Sequence, residues 1–386
     1  MSANIIIAAD LCLQHRTARL SFEELCDCHG EVKQITAAAD YSIVNLECSV
    51  TNDNSAKPIK KAGVALRNND KVLDLAKFMG FDAVTLANNH FADFGQGAVE
   101  ESLKLIESRG LDHVGAGVNL YDAQKILYKT INGVKVAFIN ACEHEFTIAT
   151  SSKGGCNSLN AISLFYNIIE ANQKAEIVIV IIHGGHEEYQ LPSPRMQQMY
   201  RFFVDAGASV VINHHQHCYS GYEIYKGCPV FYGLGNFSFD ENGLRNSTWN
   251  EGCLVKLQIN NAVTFELIPY IQNNDTPGIT LMNDDQVKAF KDRIQELNDI
   301  ISDPRRLEEA MAKMTESVRD KYMHPLKPYQ YGPLMKMIKC HIIPKKLAKK
   351  LAPVYLTPER MLLLKSYFQC ESHQEIMNEL LRDEQS

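Results

Sequence analysis

Three histidines, His214, His215 and His217, fall within four positions directly after the apolar run 209–212. A strand that ends in such a cluster places its imidazoles at the carboxyl end of a sheet, where open α/β sheets bind ligands. Neutral imidazole is also the commonest metal ligand in proteins. The cluster therefore indicates a metal centre, provided that other ligands lie elsewhere in the chain.

Four other polar clusters follow apolar, strand-like runs in the same way. They contain Asp10; Asn45 and Glu47; Asn88, Asn89, His90 and Asp93; and His183 and Glu187. Carboxylate, amide and imidazole donors form a mixed set that suits Mn, Fe or Zn in pairs. Each cluster alone has a simpler explanation, since Asp10 could cap a helix and Asn88 with Asn89 could form a turn. Five clusters in one domain favour the metal site.

The pattern of apolar runs divides the chain. Residues 1–272 alternate strand-like and amphipathic segments, which is typical of a layered α/β domain. Residues 276–386 are predicted to form an α-helical C-terminal extension, beginning with an apolar stripe at helical spacing after Asn283. The predicted strands are 4–9, 41–46, 83–86, 134–140, 177–182, 209–212, 230–233, 253–259 and 263–268, and the helices between them are 70–79, 96–108, 159–171 and 194–205.

Composition restricts the function. The net charge of −7 in 386 residues disfavours nucleic-acid binding, and with it a nuclease, because phosphate contacts need clustered Lys and Arg. The N-terminal apolar run is too short for a signal peptide, and no run of about 18 apolar residues predicts a transmembrane helix. Eleven cysteines without framework spacing are typical of reduced thiols. The predicted location is the cytoplasm.

The segment 336–350 is basic, and apolar residues interleave with its lysines. The lysines are Lys336, Lys339, Lys345, Lys346, Lys349 and Lys350. One interpretation is a peripheral contact with an anionic membrane, at the inner membrane face, or with an anionic polymer. The other, which charge runs favour in general, is a helix packed on the core with its lysines in water.

Six motifs occur in an order that resembles the bacterial poly-γ-glutamate capsule-synthesis (CapA) family. The motifs contain Asp10; Asn45-Leu-Glu47; Asn89-His90 with Asp93; His183-Gly-Gly-x-Glu187; His214-His-Gln-His217; and Gly233-Leu-Gly-Asn-Phe237. That family belongs to the calcineurin-like metallophosphoesterase superfamily. Over residues 1 to about 270, the resemblance implies a four-layer α/β sandwich with two central mixed sheets flanked by helices.

The resemblance also implies roles for these residues, including two divalent metal ions (Mn, Fe or Zn). Asp10 would bind the first ion, Glu47 would bridge, and Asn89 would bind the second. His183, His215 and His217 would complete the metal ligands, while His90, oriented by Asp93, would be the general acid. A metal-bound hydroxide would be the nucleophile. Asn45, Glu187, His214 and Asn236 would line the site, in contact with the substrate or the ligands.

The sequence departs from the family pattern at four positions. Cys12 stands where phosphoesterases have a histidine, so its thiolate could bind a metal or its side chain could point into the core. Gly184 replaces a usual tryptophan, which would enlarge part of the pocket. Asn213 and Gln216 replace glycine and proline. Together these departures indicate an outlying subfamily with its own substrate.

Two functions follow from these observations. The first is a metal-dependent hydrolase of phosphate esters or phosphodiesters in capsule, poly-γ-glutamate or exopolysaccharide biosynthesis, with an anionic phosphate-containing or polymeric substrate. The second is a non-catalytic polymer-binding or scaffold subunit that acts with other capsule or polysaccharide synthesis proteins. The ligand set favours an enzyme, whereas the pathway rests on the resemblance.

Overall fold

A computed structural model of the chain describes residues 2–61 and 63–323 and the single positions 337, 340, 342 and 344. Apart from those positions, residues 324–386 of the predicted helical extension, which include the basic segment 336–350, lie outside the described residues. One compact unit spans Met1–Glu308 and a second spans Glu309–Ser386. The division predicted between residues 272 and 276 stays a prediction.

The described residues form eighteen strands. In chain order they are β1 (Ala3–Cys12), β2 (Tyr41–Leu46), β3 (Ser49–Val50), β4 (Arg67–Asn68), β5 (Ala83–Thr85), β6 (Asp112–Val114), β7 (Ala116–Gly117), β8 (Leu127–Ile131), β9 (Val134–Cys142), β10 (Gly155–Cys156), β11 (Ile177–His183), β12 (Val210–His214), β13 (Tyr222–Tyr225), β14 (Cys228–Phe231), β15 (Asn236–Phe239), β16 (Glu251–Ile259), β17 (Val263–Gln272) and β18 (Ile279–Leu281).

Nine α-helices connect or follow these strands within the described residues. They are α1 (His15–Arg19), α2 (Phe22–Thr36), α3 (Lys71–Phe78), α4 (Gly95–Ser108), α5 (Leu120–Ala123), α6 (Ala161–Lys174), α7 (Pro194–Asp205), α8 (Asp284–Ile301) and α9 (Pro304–Met323). The helix α8 begins with a capping box, in which Asn283 accepts from the backbone N–H of Gln286 and the Gln286 side chain accepts from the backbone N–H of Asn283. The helix α2 was not predicted.

Two large mixed sheets carry the fold. The first has the order β18-β17-β16-β1-β2-β5-β6, and β15 also pairs with β1. The second has the order β13-β14-β12-β11-β9-β8. In the first sheet β1, β2, β5 and β6 run parallel, and β16, β17 and β18 continue it antiparallel on the other side of β1. In the second sheet β9, β11, β12 and β14 run parallel between the antiparallel edge strands β8 and β13. The α/β class with two mixed sheets agrees with the sequence prediction.

Aromatic side chains join the two sheets. Tyr41 of β2 stacks on Phe138 of β9 with ring centroids 5.5 Å apart, and Phe231 of β14 meets Phe265 of β17 edge to face at 4.9 Å. The central strand β11 is buried along nearly its whole length, as its run of Ile and Val predicts for a parallel strand covered on both faces. The sheets are thus packed face to face, with helices outside them.

The parallel arrangement decides where the polar clusters lie. In the first sheet β1, β2 and β5 are parallel neighbours, and in the second sheet β11 and β12 are parallel neighbours. Asp10 is opposite Asn45 in the register, and His183 is opposite His214. The carboxyl ends of these strands therefore bring the predicted site residues to one edge of the sandwich.

Candidate metal centre

Asp10 and Glu47 are two buried carboxylates at the end of the first sheet. Both side chains are fully shielded from solvent. Asp10 accepts a hydrogen bond from Nδ2 of Asn45 at 2.8 Å and one from the backbone N–H of His215 at 3.3 Å. Among the described residues neither oxygen of Glu47 has a hydrogen-bond partner. A buried, unpaired carboxylate is costly, so Glu47 needs either a proton or a cation.

The pKa of the Glu47 carboxyl reflects this position. Burial raises the pKa well above its usual range, and the neighbouring carboxylate of Asp10 raises it further. Burial also lowers the pKa of His183 well below its usual range, with a further contribution from His215. Both shifts arise because charge is unfavourable in this enclosed site. A bound cation would reverse the first of them, because it stabilises the carboxylate form.

His183 ends β11 and joins the two sheets. Its Nε2 lies 2.9 Å from Oδ1 of Asn89 and 3.6 Å from Oε1 of Glu47. Three donor atoms from three different strand ends therefore converge on one point. Nδ2 of Asn45 lies 3.3 Å from Nδ1 of His183, so Nδ1 is assigned as the acceptor and Nε2 as the nitrogen that carries the proton. A divalent cation at this point would replace that proton.

Asn236 orients His217. The Nδ2 group of Asn236 donates to the backbone carbonyls of His217 and Trp249, both at 3.2 Å, so its Oδ1 faces the His217 ring. Nδ1 of His217 then donates to that Oδ1 at 2.9 Å. This leaves Nε2, 3.7 Å from Oε1 of Glu47, as the imidazole nitrogen available to a cation.

The histidine turn has an uncommon backbone. His215 and His217 have positive φ angles of 94° and 54°, in the left-handed region that few non-glycine residues adopt. The turn brings the His215 ring to 4.7 Å from the ring of His183. His214 is buried, and its Nδ1 lies 3.5 Å from Oδ1 of Asp10. Neither ring nitrogen has a hydrogen-bond partner among the described residues, and burial lowers its pKa to about 3.

These side chains form three overlapping groups in the described part of the chain. The groups are Glu47 with His183 and His215; Asp10 with Glu47 and His217; and Glu187 with His215 and His217. Within each group the possible ligand atoms lie within 4.8 Å of one another. Mixed carboxylate and imidazole donors, an unpaired buried Glu47 and a fixed His217 nitrogen all fit divalent cations.

His90 and Asp93 lie beside the candidate ligand Asn89. Nδ1 of His90 donates to Oδ2 of Asp93 at 2.7 Å, which leaves Nε2 of the ring free to exchange a proton. The backbone N–H of Leu66 donates to the same carboxylate at 2.9 Å. Asp93 is fully buried, so these bonds hold the His90 ring in one orientation.

Lys61 is a member of this arrangement that the sequence did not indicate. Its ammonium group donates to Oδ1 of Asp93 at 2.5 Å and to the backbone carbonyl of Asn89 at 2.8 Å. The same group lies 3.4 Å from Nδ1 of His90. Lys61 therefore balances the charge of Asp93 and fixes the loop that carries Asn89 and His90.

Cys12 and Gly184, two of the positions at which the sequence departs from the family pattern, are each enclosed by neighbouring side chains. Cys12 is buried, accepts a hydrogen bond from Nε2 of Gln14 at 3.3 Å and belongs to none of the three described ligand groups. A Cβ atom on Gly184 would lie 2.6 Å from Cγ of Glu143, whose carboxylate pairs with Arg195. Glu143 thus fills the space next to this glycine.

Asn213 has a structural contact pattern. It accepts from the hydroxyl of Tyr200 at 2.6 Å and donates to the carbonyls of Gly184 and Tyr232 at 2.9 and 3.1 Å. It therefore ties β12 to the glycine turn after β11 and to the chain after β14.

Comparison with known proteins gives the family. The profile described as "Bacterial capsule synthesis protein PGA_cap" matches residues 6–241. The match includes every candidate ligand from Asp10 to His217, together with Asn236. The chain belongs to this bacterial capsule synthesis family.

Two relatives come from Bacillus. The chain is 32% identical to the capsule biosynthesis protein CapA of Bacillus anthracis over 253 residues, which are 63% of this chain and 61% of that protein. It is 34% identical to the PGA biosynthesis protein CapA of Bacillus subtilis over 252 residues, 64% of this chain and 65% of that protein. The chain thus spans less than two thirds of either relative.

More distant similarities also occur. A protein of Mycobacterium tuberculosis named "Probable polyglutamine synthesis accessory protein" is 23% identical over 220 residues, 54% of this chain and 57% of that protein. Among solved structures, a hypothetical protein from Thermus thermophilus is similar over 69% of this chain and 98% of its own, with 14% identity and a TM-score of 0.43.

Proposed function

We propose that this protein is a metal-dependent hydrolase of phosphate esters or phosphodiesters that acts in capsule, poly-γ-glutamate or exopolysaccharide synthesis. The observation that carries the proposal is the His90–Asp93 pair, a positioned proton donor next to a set of unpaired buried ligand atoms. The family and the names of the Bacillus relatives support the pathway.

In this proposal the centre holds two divalent cations. Asp10, Glu47 and His217 would hold one, and Glu47, Asn89, His183 and His215 would hold the other, so that Glu47 serves both. Bound divalent cations would supply positive charge to the phosphoryl group and its oxygens during displacement. Asn45 and Asn236 would orient the ligands through their hydrogen bonds to Asp10 and His217.

The proton for the leaving oxygen comes from His90. Its Nδ1 is held by Asp93, so Nε2 is the atom that gives the proton, and the carboxylate stabilises the charged ring before transfer. Lys61 keeps Asp93 and the Asn89 carbonyl in place during this step. His214 lies 3.5 Å from Asp10 through its Nδ1 and supports the buried side of the site.

The substrate in this proposal is an anionic phosphate-containing or polymeric molecule, and other capsule or polysaccharide synthesis proteins are its partners. A cytoplasmic location belongs to the same proposal. Within the described residues no helix is long and apolar enough to cross a bilayer.

The test is hydrolysis of bis-p-nitrophenyl phosphate and p-nitrophenyl phosphate by purified protein reconstituted with Mn²⁺. We expect turnover by the wild type and a loss of at least about 100-fold in kcat for His90→Ala, the usual contribution of a general acid. His113→Ala is the matched control, because His113 pairs with Glu107 away from the ligand groups. No turnover of either ester at any metal concentration would refute the catalytic proposal.

A second candidate is a non-catalytic polymer-handling subunit of the synthesis machinery. The name of the Mycobacterium relative, which describes an accessory protein, favours it. Polymer yield in cells that carry His90→Ala separates the two. A wild-type yield supports the accessory role, whereas a yield as low as that of the deletion strain supports the enzyme.

A further inference from the structure

The carboxylate of Glu187 lies at the candidate metal centre. One of its oxygens is grouped with a ring nitrogen of His215 and one of His217, all within 4.8 Å of one another. Ligands about 2.1 Å from a cation are separated by up to roughly 4.2 Å, so a small movement of the Glu187 side chain would let its oxygen share an ion with one of these nitrogens.

The backbone holds Glu187 at this place. The N–H of Glu188 donates to the carbonyl of Gln216 at 2.8 Å, and the side chain of Gln216 donates to the carbonyls of Tyr189 and Leu191 at 2.7 and 3.2 Å. Gln216 stands between His215 and His217 in the chain. The loop that carries Glu187 is therefore attached directly to the turn that carries the two imidazoles.

The Glu187 carboxylate takes part in no hydrogen bond or ion pair within the described residues. Its side chain is exposed, unlike those of Asp10 and Glu47. Its distance from the imidazoles is thus set by the backbone and not by a contact of the carboxylate. The three-residue group is open towards solvent on the Glu187 side.

We propose that Glu187 is a metal ligand on the solvent side of the centre and serves the cation that His217 holds. This inference rests on the metal centre of the proposed function. Because Asn236 occupies Nδ1 of His217, that imidazole has Nε2 alone to give. Oε1 of Glu47 lies 3.7 Å from that nitrogen, and Glu187 would add a second carboxylate from the solvent side.

The ligand role differs from that of a solvated surface acid in its effect on metal binding. A ligand that closes the solvent side slows escape of the ion and lowers its dissociation constant. A surface acid changes the dissociation constant little, because exposed charges are screened by salt. The affinity for Mn²⁺ in about 0.15 M salt therefore distinguishes the two roles without any measurement of catalysis.

The experiment is a calorimetric titration of metal-free protein with Mn²⁺, with elemental analysis of the saturated sample. We expect Glu187→Gln to bind one of its Mn²⁺ ions at least about 10-fold more weakly than the wild type does. Glu188→Gln is the matched control, since it removes the neighbouring carboxylate, which lies outside the ligand groups. Equal unfolding temperatures of the metal-free proteins would confirm that both variants fold.

The outcomes separate this inference from the proposed function. Uptake of less than one equivalent of Mn²⁺ by the wild type would refute the proposed metal centre and, with it, the ligand role of Glu187. Two equivalents in the wild type with unchanged affinities in Glu187→Gln would overturn the role of Glu187 alone. Weaker Mn²⁺ binding by both Glu187→Gln and Glu188→Gln would also overturn this role, because the effect would then come from the loss of any nearby negative charge.

Discussion

The ammonium group of Lys61 lies 2.5 Å from Oδ1 of Asp93, and both side chains are almost completely buried, at 6% and 0% exposure. The other oxygen of Asp93 holds the His90 ring. The charge of one buried carboxylate is thus divided between a lysine from a loop and the proposed general acid. Removing one member of a buried ion pair leaves the other without compensation, which is strongly destabilising.

Lys61→Met should therefore lower the free energy of unfolding by about 3 kcal/mol in urea denaturation. It should also lower kcat more than it raises KM, because Lys61 positions His90 and makes no proposed substrate contact. Lys60→Met, a change at the exposed neighbouring lysine, serves as the control. Equal stability of the two variants would show that the buried pair contributes little.

Divalent metal should stabilise the folded protein. An ion that binds the native state alone, at a concentration about 100 times its dissociation constant, adds about 2.7 kcal/mol to the free energy of unfolding. We expect this increase for Mn²⁺ in thermal or urea unfolding of the wild type, and most of it should disappear in His183→Ala. The control His113→Ala should keep it. Unfolding that is the same in EDTA and in Mn²⁺ would contradict the metal centre.

Cys12→Ala should leave the metal content unchanged, because the Cys12 thiol belongs to none of the ligand groups found among the described residues. The substitution should instead lower the free energy of unfolding by about 1 kcal/mol, because it removes a buried sulfur and its contact with Gln14. The measurement is the metal content of Cys12→Ala by elemental analysis, compared with that of Asp10→Asn, which alters a proposed ligand. Loss of an equivalent of metal from Cys12→Ala would establish the thiolate as a ligand.

His29 should make the stability depend on pH. Burial lowers its pKa to about 4, against about 6.5 in the unfolded chain. The unfolded state binds the proton first as the pH falls, so His29 costs stability below about pH 6.5, roughly 2 kcal/mol at pH 5. The stability difference between wild type and His29→Gln should therefore fall by that amount from about pH 7.5 to pH 5. A constant difference in urea titrations would refute this assignment.

The sequence predicted that the candidate site residues lie close together, through the positions of strand ends. Runs such as Ile177–His183 are apolar throughout and end in a polar cluster, so both the strand and the edge at which its last residue lies follow from the pattern. Parallel neighbours then bring clusters from distant parts of the chain to one edge.

The features that the sequence did not indicate depend on loops and on irregular backbone. Lys61 lies in a segment without periodicity, and its partner Asp93 is 32 positions away. The left-handed conformations of His215 and His217 occur at residues that rarely adopt them. The helix α2 has few buried apolar residues, since His29 and Thr36 share its buried face with Leu25 and Val32.

The central position of β1 has a consequence for synthesis on the ribosome. This first strand pairs with β2, made soon after it, but also with β15 and β16, which are made more than half a chain later. Asp10 likewise meets a histidine 205 positions away. The nascent chain must therefore carry an unfinished strand edge and uncompensated acids until residue 259 has emerged. Binding of cations at the proposed centre would then be a late event that follows completion of the domain.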